Sequence, residues 1–174
     1  MQIIIVGCGK VGTALAVQLS QEDNNVTVVD KDSTVIRNIT SMYDVMGIVG
    51  NGASYGTLKE ADIEHADLLI AVSRSDELNL LCCVIARQAA KCHTIARVRN
   101  SVYREEREFI RRELGLSMII NPEFAAAQEM ARLLRFPTAI EIDSFSKDRN
   151  ASVQGSACLQ TGWNAAEGCL RSAE

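Results

Sequence analysis

MQIIIVGCGKVGTALAVQLSQEDNNVTVVD, residues 1 to 30, reads as a strand (Gln2 to Val6), a glycine-rich turn, a helix and a second strand ending at Asp30. The spacing G-x-G-x-x-G (Gly7, Gly9, Gly12) is a weak signal by itself. Here it follows an apolar run, opens a helical pattern, and is closed by an acidic residue at the end of the next strand. Gly7 lets the chain leave the strand sharply. Gly9 lacks the Cβ that would hold a pyrophosphate off the backbone, and Gly12 lets the helix lie close to the strand. The helix from near Lys10 points unpaired N–H groups and the positive end of its dipole at a bound phosphate. Asp30 accepts from ribose hydroxyls, and its charge repels a 2′-phosphate. A merely structural turn with an incidental aspartate is the weaker reading.

The rest of the chain bounds the answer. It has 174 residues, 47% of them hydrophobic, enough for one self-sufficient core. A net charge of −4 argues against nucleic acid or an anionic membrane surface as the main partner. No apolar run approaches the ~20 residues of a membrane span, and no basic signal region opens the chain, so a cytosolic location is expected. The cysteines (Cys8, Cys82, Cys83, Cys92, Cys158, Cys169) form no C-x-x-C pair, and only His65 and His93 could complete a metal site. Free thiols and no metal are expected. Cys8, beside a helix N-terminus, is the one thiol whose pKa the sequence places low, with redox sensing a minor possibility.

In chain order, Lys31–Met42 reads as a helix, Val45–Val49 as a third strand, and Ala53–Glu60 as a helix with Ser54 as a possible cap. Ala66–Val72 is a continuous apolar strand, expected at the centre of a parallel sheet. Ser73–Asn79 reads as a turn, Leu80–Ala90 as a buried helix and His93–Val98 as a fifth strand. A helix over Val102–Gly115 is expected to turn Val102, Phe109, Ile110 and Leu114 inward. Met118–Ile120 is a sixth strand. Six strands alternating with helices describe a doubly wound parallel α/β sheet, Rossmann-like, of order 3-2-1-4-5-6. Asn121-Pro122 starts a crossover helix running to Arg135, and Thr138–Phe145 alternates like an extra strand. The apolar stripe of that helix (Phe124, Ala127, Met130, Ala131, Leu133, Leu134) is expected to meet a partner subunit rather than its own sheet. The expected divisions are 1–136 for the nucleotide-binding domain with its helix, 137–149 for the start of a linker or lobe, and 150–174 for a non-native or disordered tail.

With these residues placed, the chain resembles the nucleotide-binding regulatory domains of bacterial potassium uptake, the TrkA/KtrA-type subunits, also called KTN or RCK N-terminal domains. The resemblance covers about Met1 to Arg149. It rests on IIIVGCGKVG, VTVVDKD, GNGAS, LLIAVSRSDELNLL, IARVRN, INPE and AIEID. It implies a cytoplasmic subunit, peripheral to the inner face of the membrane, that binds NAD(H) or ATP/ADP but not NADP. Such a subunit gates a membrane potassium transporter without catalysing a reaction. It assembles as a homodimer or larger ring through the 122–135 helix, and neither binds nucleic acid nor inserts in the membrane. By the same resemblance, Gly7, Gly9, Lys10, Val11 and Gly12 cradle phosphates, and Asp30 and Lys31 meet the ribose. Asn51, Gly52 and Ala53 lie beside the adenine. Ser73, Asp76 and Glu77 line the floor, and Arg97 offers charge to the ligand. Glu123 is a weaker candidate near the phosphates across a dimer interface. Family members commonly carry aspartate where this chain has Asn51, and they continue into a further lobe, so a fragment is expected.

Two other readings compete. Tyr55 and Lys59 form Y-x-x-x-K, a proton-transfer pair of short-chain dehydrogenases, but they follow the third strand, on the adenine side. A small NAD-dependent oxidoreductase is therefore the weaker alternative. The same module attached to another cation channel or an antiporter is not separable by sequence. The charged run Glu105–Glu113 reads as a solvated face.

Overall fold

The computed structural model describes residues 1–135, 142–144 and 151–153. Six parallel strands, β1 (Gln2–Val6), β2 (Asn25–Asp30), β3 (Met46–Val49), β4 (Leu68–Ala71), β5 (His93–Arg97) and β6 (Met118–Ile120), form one sheet of order β3-β2-β1-β4-β5-β6. The order reverses between β1 and β4, which pair in register from Ile3↔Leu68 to Val6↔Ala71.

Alternation along β1 explains its unbroken apolar run. Side chains of successive residues point to opposite faces. Ile3 and Ile5 pack with Ala16 of α1 (Lys10–Gln21) and with Ile36 and Ile39 of α2 (Ser33–Met42). Ile4 and Val6 pack on the other face with Leu58 of α3 (Tyr55–Glu60) and with Cys82, Cys83 and Ala86 of α4 (Asp76–Ala89). Both faces are covered, so no polar side of the strand exists.

The helix boundaries differ from the sequence expectation where a side chain caps the helix. Asp32 accepts from the Thr34 and Val35 amides, so α2 begins at Ser33 rather than Lys31. Ser75 accepts from the Leu78 amide, so α4 begins at Asp76 and takes in half of the expected Ser73–Asn79 turn. A short 3₁₀ turn at Ile63–His65 precedes β4. The single helix expected over Val102–Gly115 is two, α5 (Val102–Glu105) and α6 (Arg107–Glu113), broken at Glu106. Of the residues expected inward only Ile110 is so placed. Tyr103 and Ile110 pack against the core, while Val102, Phe109 and Leu114 are exposed. Gly115, at φ +66°, ends α6 as expected. α7 (Pro122–Arg135) follows, capped by the Asn121 carboxamide oxygen, which accepts from the Phe124 amide at 2.9 Å.

The chain divides into two compact units, Met1–Ala126 and Ala127–Glu174, so the division falls within α7. In the second unit, β7 (Ile142–Ser144) and β8 (Ala151–Val153) pair antiparallel, Ile142 opposite Val153. Residues 151–153 thus form a strand within a tail for which no element was expected. The remainder of the expected Thr138–Phe145 strand and of the tail, Cys158 and Cys169 included, lies outside the described residues.

One buried side chain sets the strand ends on which a ligand would sit. Asn79, fully buried, accepts from the Ser73 amide (2.8 Å) and donates to the carbonyls of Ser73 (3.2 Å) and Arg97 (2.8 Å). It ties the turn after β4 to the end of β5. Asn79→Ala strands those groups in a dry interior, at a cost of about 2 kcal/mol. The thermal midpoint is expected to fall by roughly 4–8 °C, read by circular dichroism. An unchanged midpoint would show that water replaces the carboxamide.

Candidate functional site

The turn between β1 and α1 is fixed by close contacts. Gly7 has φ +98°, and a Cβ there would lie 2.7 Å from the Ser73 backbone. A Cβ on Gly12 would collide with the Gly7 carbonyl oxygen. Both glycines are therefore demanded by the fold. Gly9 is different. Its φ of −71° suits any residue, and a Cβ there would meet no atom within 4 Å. Gly9 is also the N-cap of α1, so no side chain caps this helix, and its first turn carries no acidic residue. Its leading amides and dipole face the strand ends unneutralised.

Asp30 closes this turn from the neighbouring strand. Its Oδ2 accepts from the Cys8 amide at 2.7 Å and its Oδ1 from the Asp32 amide at 3.0 Å. Each carboxylate oxygen retains acceptor capacity for a ribose hydroxyl. The arrangement corrects the expectation for Cys8. The thiol is buried, and burial together with the Asp30 charge pushes its pKa up to about 12, against any lowering by the helix terminus. Cys8 is a protonated packing residue, not a poised thiolate. Cys82 is likewise pushed up to about 12 by burial.

On the other side of the reversal, the end of β5 carries Arg97 and Arg99. Asp76, buried at the start of α4, accepts from the Arg99 and Asn100 amides at 2.9 and 2.8 Å. It braces that loop. The Arg99 guanidinium lies 3.7 Å from Asp76 Oδ1 and donates to the Arg74 carbonyl. Arg97 pairs with Glu123 of α7, and its Nε has no partner. Burial and Arg99 hold the Arg97 pKa below the usual arginine value.

These ends enclose a cleft of about 650 Å³, within the range of small-molecule sites. Gly7, Gly9, Lys10, Val11, Asp30, Lys31, Asn51, Gly52, Ser73 and Arg97 line it together. Five residues given a ligand role by resemblance stand off it, among them Glu123, which pairs with Arg97. Gly12 is buried beneath the turn. Ala53 donates its amide to Asn51 Oδ1 at 3.2 Å. Asp76 is turned to the β5 loop. Glu77 accepts from the hydroxyls of Ser75 (2.8 Å) and Tyr103 (3.3 Å). Asp32, Arg74, Leu78 and Arg99, in the turns Asp30–Asp32, Ser73–Asn79 and Arg97–Asn100 that the strand order marks for a ligand but without an assigned role, also line the cleft, and so does Val35, which the sequence reading missed. Arg99 had a signal, since IARVRN repeats arginine two residues on at a strand end. Tyr55 and Lys59 lie outside the cleft, where both reach Glu64 (3.2 and 3.8 Å). Among the described residues, no three His, Cys, Asp or Glu side chains gather as a metal site requires, and no helix is long and apolar enough to cross a membrane.

A doubly wound parallel sheet with a glycine turn, an uncapped first helix and an acidic second strand end defines a Rossmann-like domain of the nucleotide-binding class. The chain belongs to the TrkA-N domain family, which it matches over residues 3–122. It is 36% identical over 152 residues to the Trk system potassium uptake protein TrkA of Haemophilus influenzae, covering 86% of this chain and 33% of that protein. The chain thus spans about a third of the length of the curated relatives it matches. Among solved structures, the TrkA-N domain of the Escherichia coli inner membrane protein ybaL superposes with a TM-score of 0.68 at 25% identity, covering 76% of this chain and 96% of that one. The Kef CTD of Shewanella denitrificans in its AMP-bound form shares the fold at a TM-score of 0.61 and 21% identity, covering 77% and 81%.

The two glycines separate fold from ligand. Gly12→Ala is expected to lower the thermal midpoint steeply, because its new methyl group meets backbone. Gly9→Ala should leave the midpoint within about 2 °C of the parent, a surface-sized effect, while weakening any ligand that lies on the turn. Equal midpoints for the two variants would contradict the packing described.

The thiols give a pH signature. The folded values near 12 for Cys8 and Cys82 exceed the ordinary 9.0, so the folded chain holds protons that the unfolded chain releases. Their contribution to stability is complete below pH 9 and falls as pH rises from 9 toward 12. Urea unfolding should show that decline. Iodoacetamide at pH 8 should leave Cys8 unlabelled until the chain unfolds, and rapid labelling of the folded chain would refute the assignment.

Proposed function

We propose that this chain is the nucleotide-sensing domain of a Trk-type potassium uptake regulator. In this reading it binds NAD(H) or ATP/ADP, excludes NADP, and passes the bound state to a membrane potassium transporter without catalysing a reaction. The observation that carries the reading is the pairing of Gly9 with the uncapped N-terminus of α1. The fold tolerates a side chain at Gly9, whereas a phosphate on the α1 amides does not. Asp30 supports the choice of adenosine ligand, since a carboxylate favours free ribose hydroxyls and repels a 2′-phosphate. Asn51 and Gly52 border the cleft on the side of β2 and β3, where the adenine would lie.

Family membership and the naming of the relatives as potassium uptake proteins support a transporter as partner. The assembly proposed is a homodimer or ring built through the apolar stripe of α7, on the cytoplasmic face of the membrane. A ligand that prefers one arrangement of such an assembly shifts the population toward it, by as much as its differential affinity allows. The surface attachment of Tyr55 and Lys59 to Glu64 disfavours the dehydrogenase alternative.

A thermal-shift titration with NADH, NAD, NADP, ATP and ADP tests the reading, because a ligand of the folded state alone raises the midpoint. Stabilisation by NADH or ATP and none by NADP is expected. No shift with any of the five would overturn the nucleotide assignment. Asp30→Asn retains one acceptor for the Cys8 amide and removes the charge. It should lower NADH affinity by about tenfold, the worth of a charge-assisted hydrogen bond, and narrow the gap to NADP. Unchanged affinities would remove Asp30 from the site.

A further inference from the structure

The turn after β3 is pinned to the sheet. A Cβ on Gly52 would collide with the Val6 side chain and lie 3.3 Å from Cys82 Sγ, so the main chain lies flat on the core there. Gly50 donates its amide to the Asp30 carbonyl at 2.9 Å, and the Asn51 carbonyl accepts from the Ser54 amide at 2.8 Å. Gly50, Asn51 and Gly52 all border the cleft, and of the three only Asn51 brings a side chain. That side chain is therefore in place before a ligand arrives.

The two ends of the Asn51 carboxamide are not equivalent. Its Oδ1 accepts from the Ala53 amide at 3.2 Å, the local turn that asparagine favours. The Ala53 N–H fixes which end is oxygen, since a carboxamide nitrogen there would set donor against donor. Among the described residues Nδ2 has no partner, so the end left for a ligand is a donor. An asparagine with both ends free grips adenine through its amino group and a ring nitrogen. Here the oxygen is turned to the main chain. Besides Asp30, two other charged side chains border this side of the cleft. Asp32 turns its Oδ1 to the Thr34 and Val35 amides (2.8 and 3.4 Å), and Lys31 is again a donor.

We propose that Asn51 makes the base position of the cleft accept a 6-oxopurine, guanine or hypoxanthine, at least as well as adenine. The base oxygen accepts from Nδ2, whereas the amino group of adenine meets Nδ2 as a second donor. This rests on the nucleotide reading above and concerns the base alone. Asn51→Asp would reverse the preference. It keeps an acceptor for the Ala53 amide, so the turn is retained, and it offers its second oxygen to the adenine amino group while repelling the base oxygen. A polar site fitted to one partner rejects the mismatched analogue because a desolvated group is left unpaired.

Hypoxanthine differs from adenine at the six position and the neighbouring ring proton, so matched pairs of ligands isolate this contact. The test is calorimetric titration of the full chain and of Asn51→Asp with ADP, inosine diphosphate, NAD and nicotinamide hypoxanthine dinucleotide. In the parent chain each hypoxanthine ligand should bind within threefold of its adenine counterpart, or more tightly. In Asn51→Asp it should bind at least tenfold more weakly than that counterpart, with the thermal midpoint within about 2 °C of the parent. A preference of the parent for adenine greater than threefold, or a ratio that Asn51→Asp leaves unchanged, would overturn the assignment of Asn51. If Asn51→Asp does not fold, the ratio in the parent chain decides alone. Binding of the adenine ligands without the hypoxanthine ones defeats the base preference only, while binding of none of the four defeats the nucleotide reading with it.

Discussion

Helix α1 starts so close to the end of β1 that the Gly7 carbonyl occupies the space a Gly12 side chain would need. Much of the cleft follows from that approach. It leaves α1 without a side-chain cap and directs its first amides over the carboxyl ends of the strands, where the strand order reverses. The same crowding buries Cys8, whose amide is then satisfied by Asp30 from the adjacent strand. The proposed phosphate and ribose positions are thus held by backbone contacts rather than by flexible side chains. A site built in this way needs little reorganisation when a ligand arrives.

The opposite half of the cleft is held by buried polar side chains. Asn79 binds backbone groups of two separate segments, the turn after β4 and the end of β5, and Asp76 binds two successive amides of the loop after β5. Neither side chain lines the cleft, yet both set where Ser73, Arg97 and Arg99 stand. Low local dielectric strengthens such bonds and makes their loss costly. The geometry of the charged rim is therefore governed from below, by residues that a ligand would never touch. Arg97 and Asn121 extend the connection to the first turn of α7, so one strand end serves both the cleft and the start of the crossover helix.

Much of this was legible in the order of residues. Apolar runs of four to six, separated by helical periods, specify a parallel sheet buried on both faces, and the first thirty residues specify the turn and its acidic partner. Boundaries were less legible where a cap competes with a turn. Ser-Asp-Glu at 75–77 has the composition of a loop and of a helix start, and only the hydrogen bond from the Leu78 amide to Ser75 shows which it is. Val102 and Phe109 share the seven-residue spacing of Tyr103 and Ile110, so periodicity did not say which stripe packs inward, and it is Tyr103 and Ile110 that meet the core.

The sequence by itself determined the sheet, its order, the glycine turn and Asp30, because these depend on local periodicity and on the conformational needs of single residues. It could not assign Asp76, Glu77 or Cys8. Two adjacent acids carry the same local signal, yet one is buried beneath a loop from the next strand and the other faces Tyr103 on the surface. A cysteine beside a helix N-terminus reads as reactive until burial and a carboxylate twenty-two residues away raise its pKa. Those outcomes depend on which distant segments the fold brings together, and desolvation and charge act through space rather than along the chain.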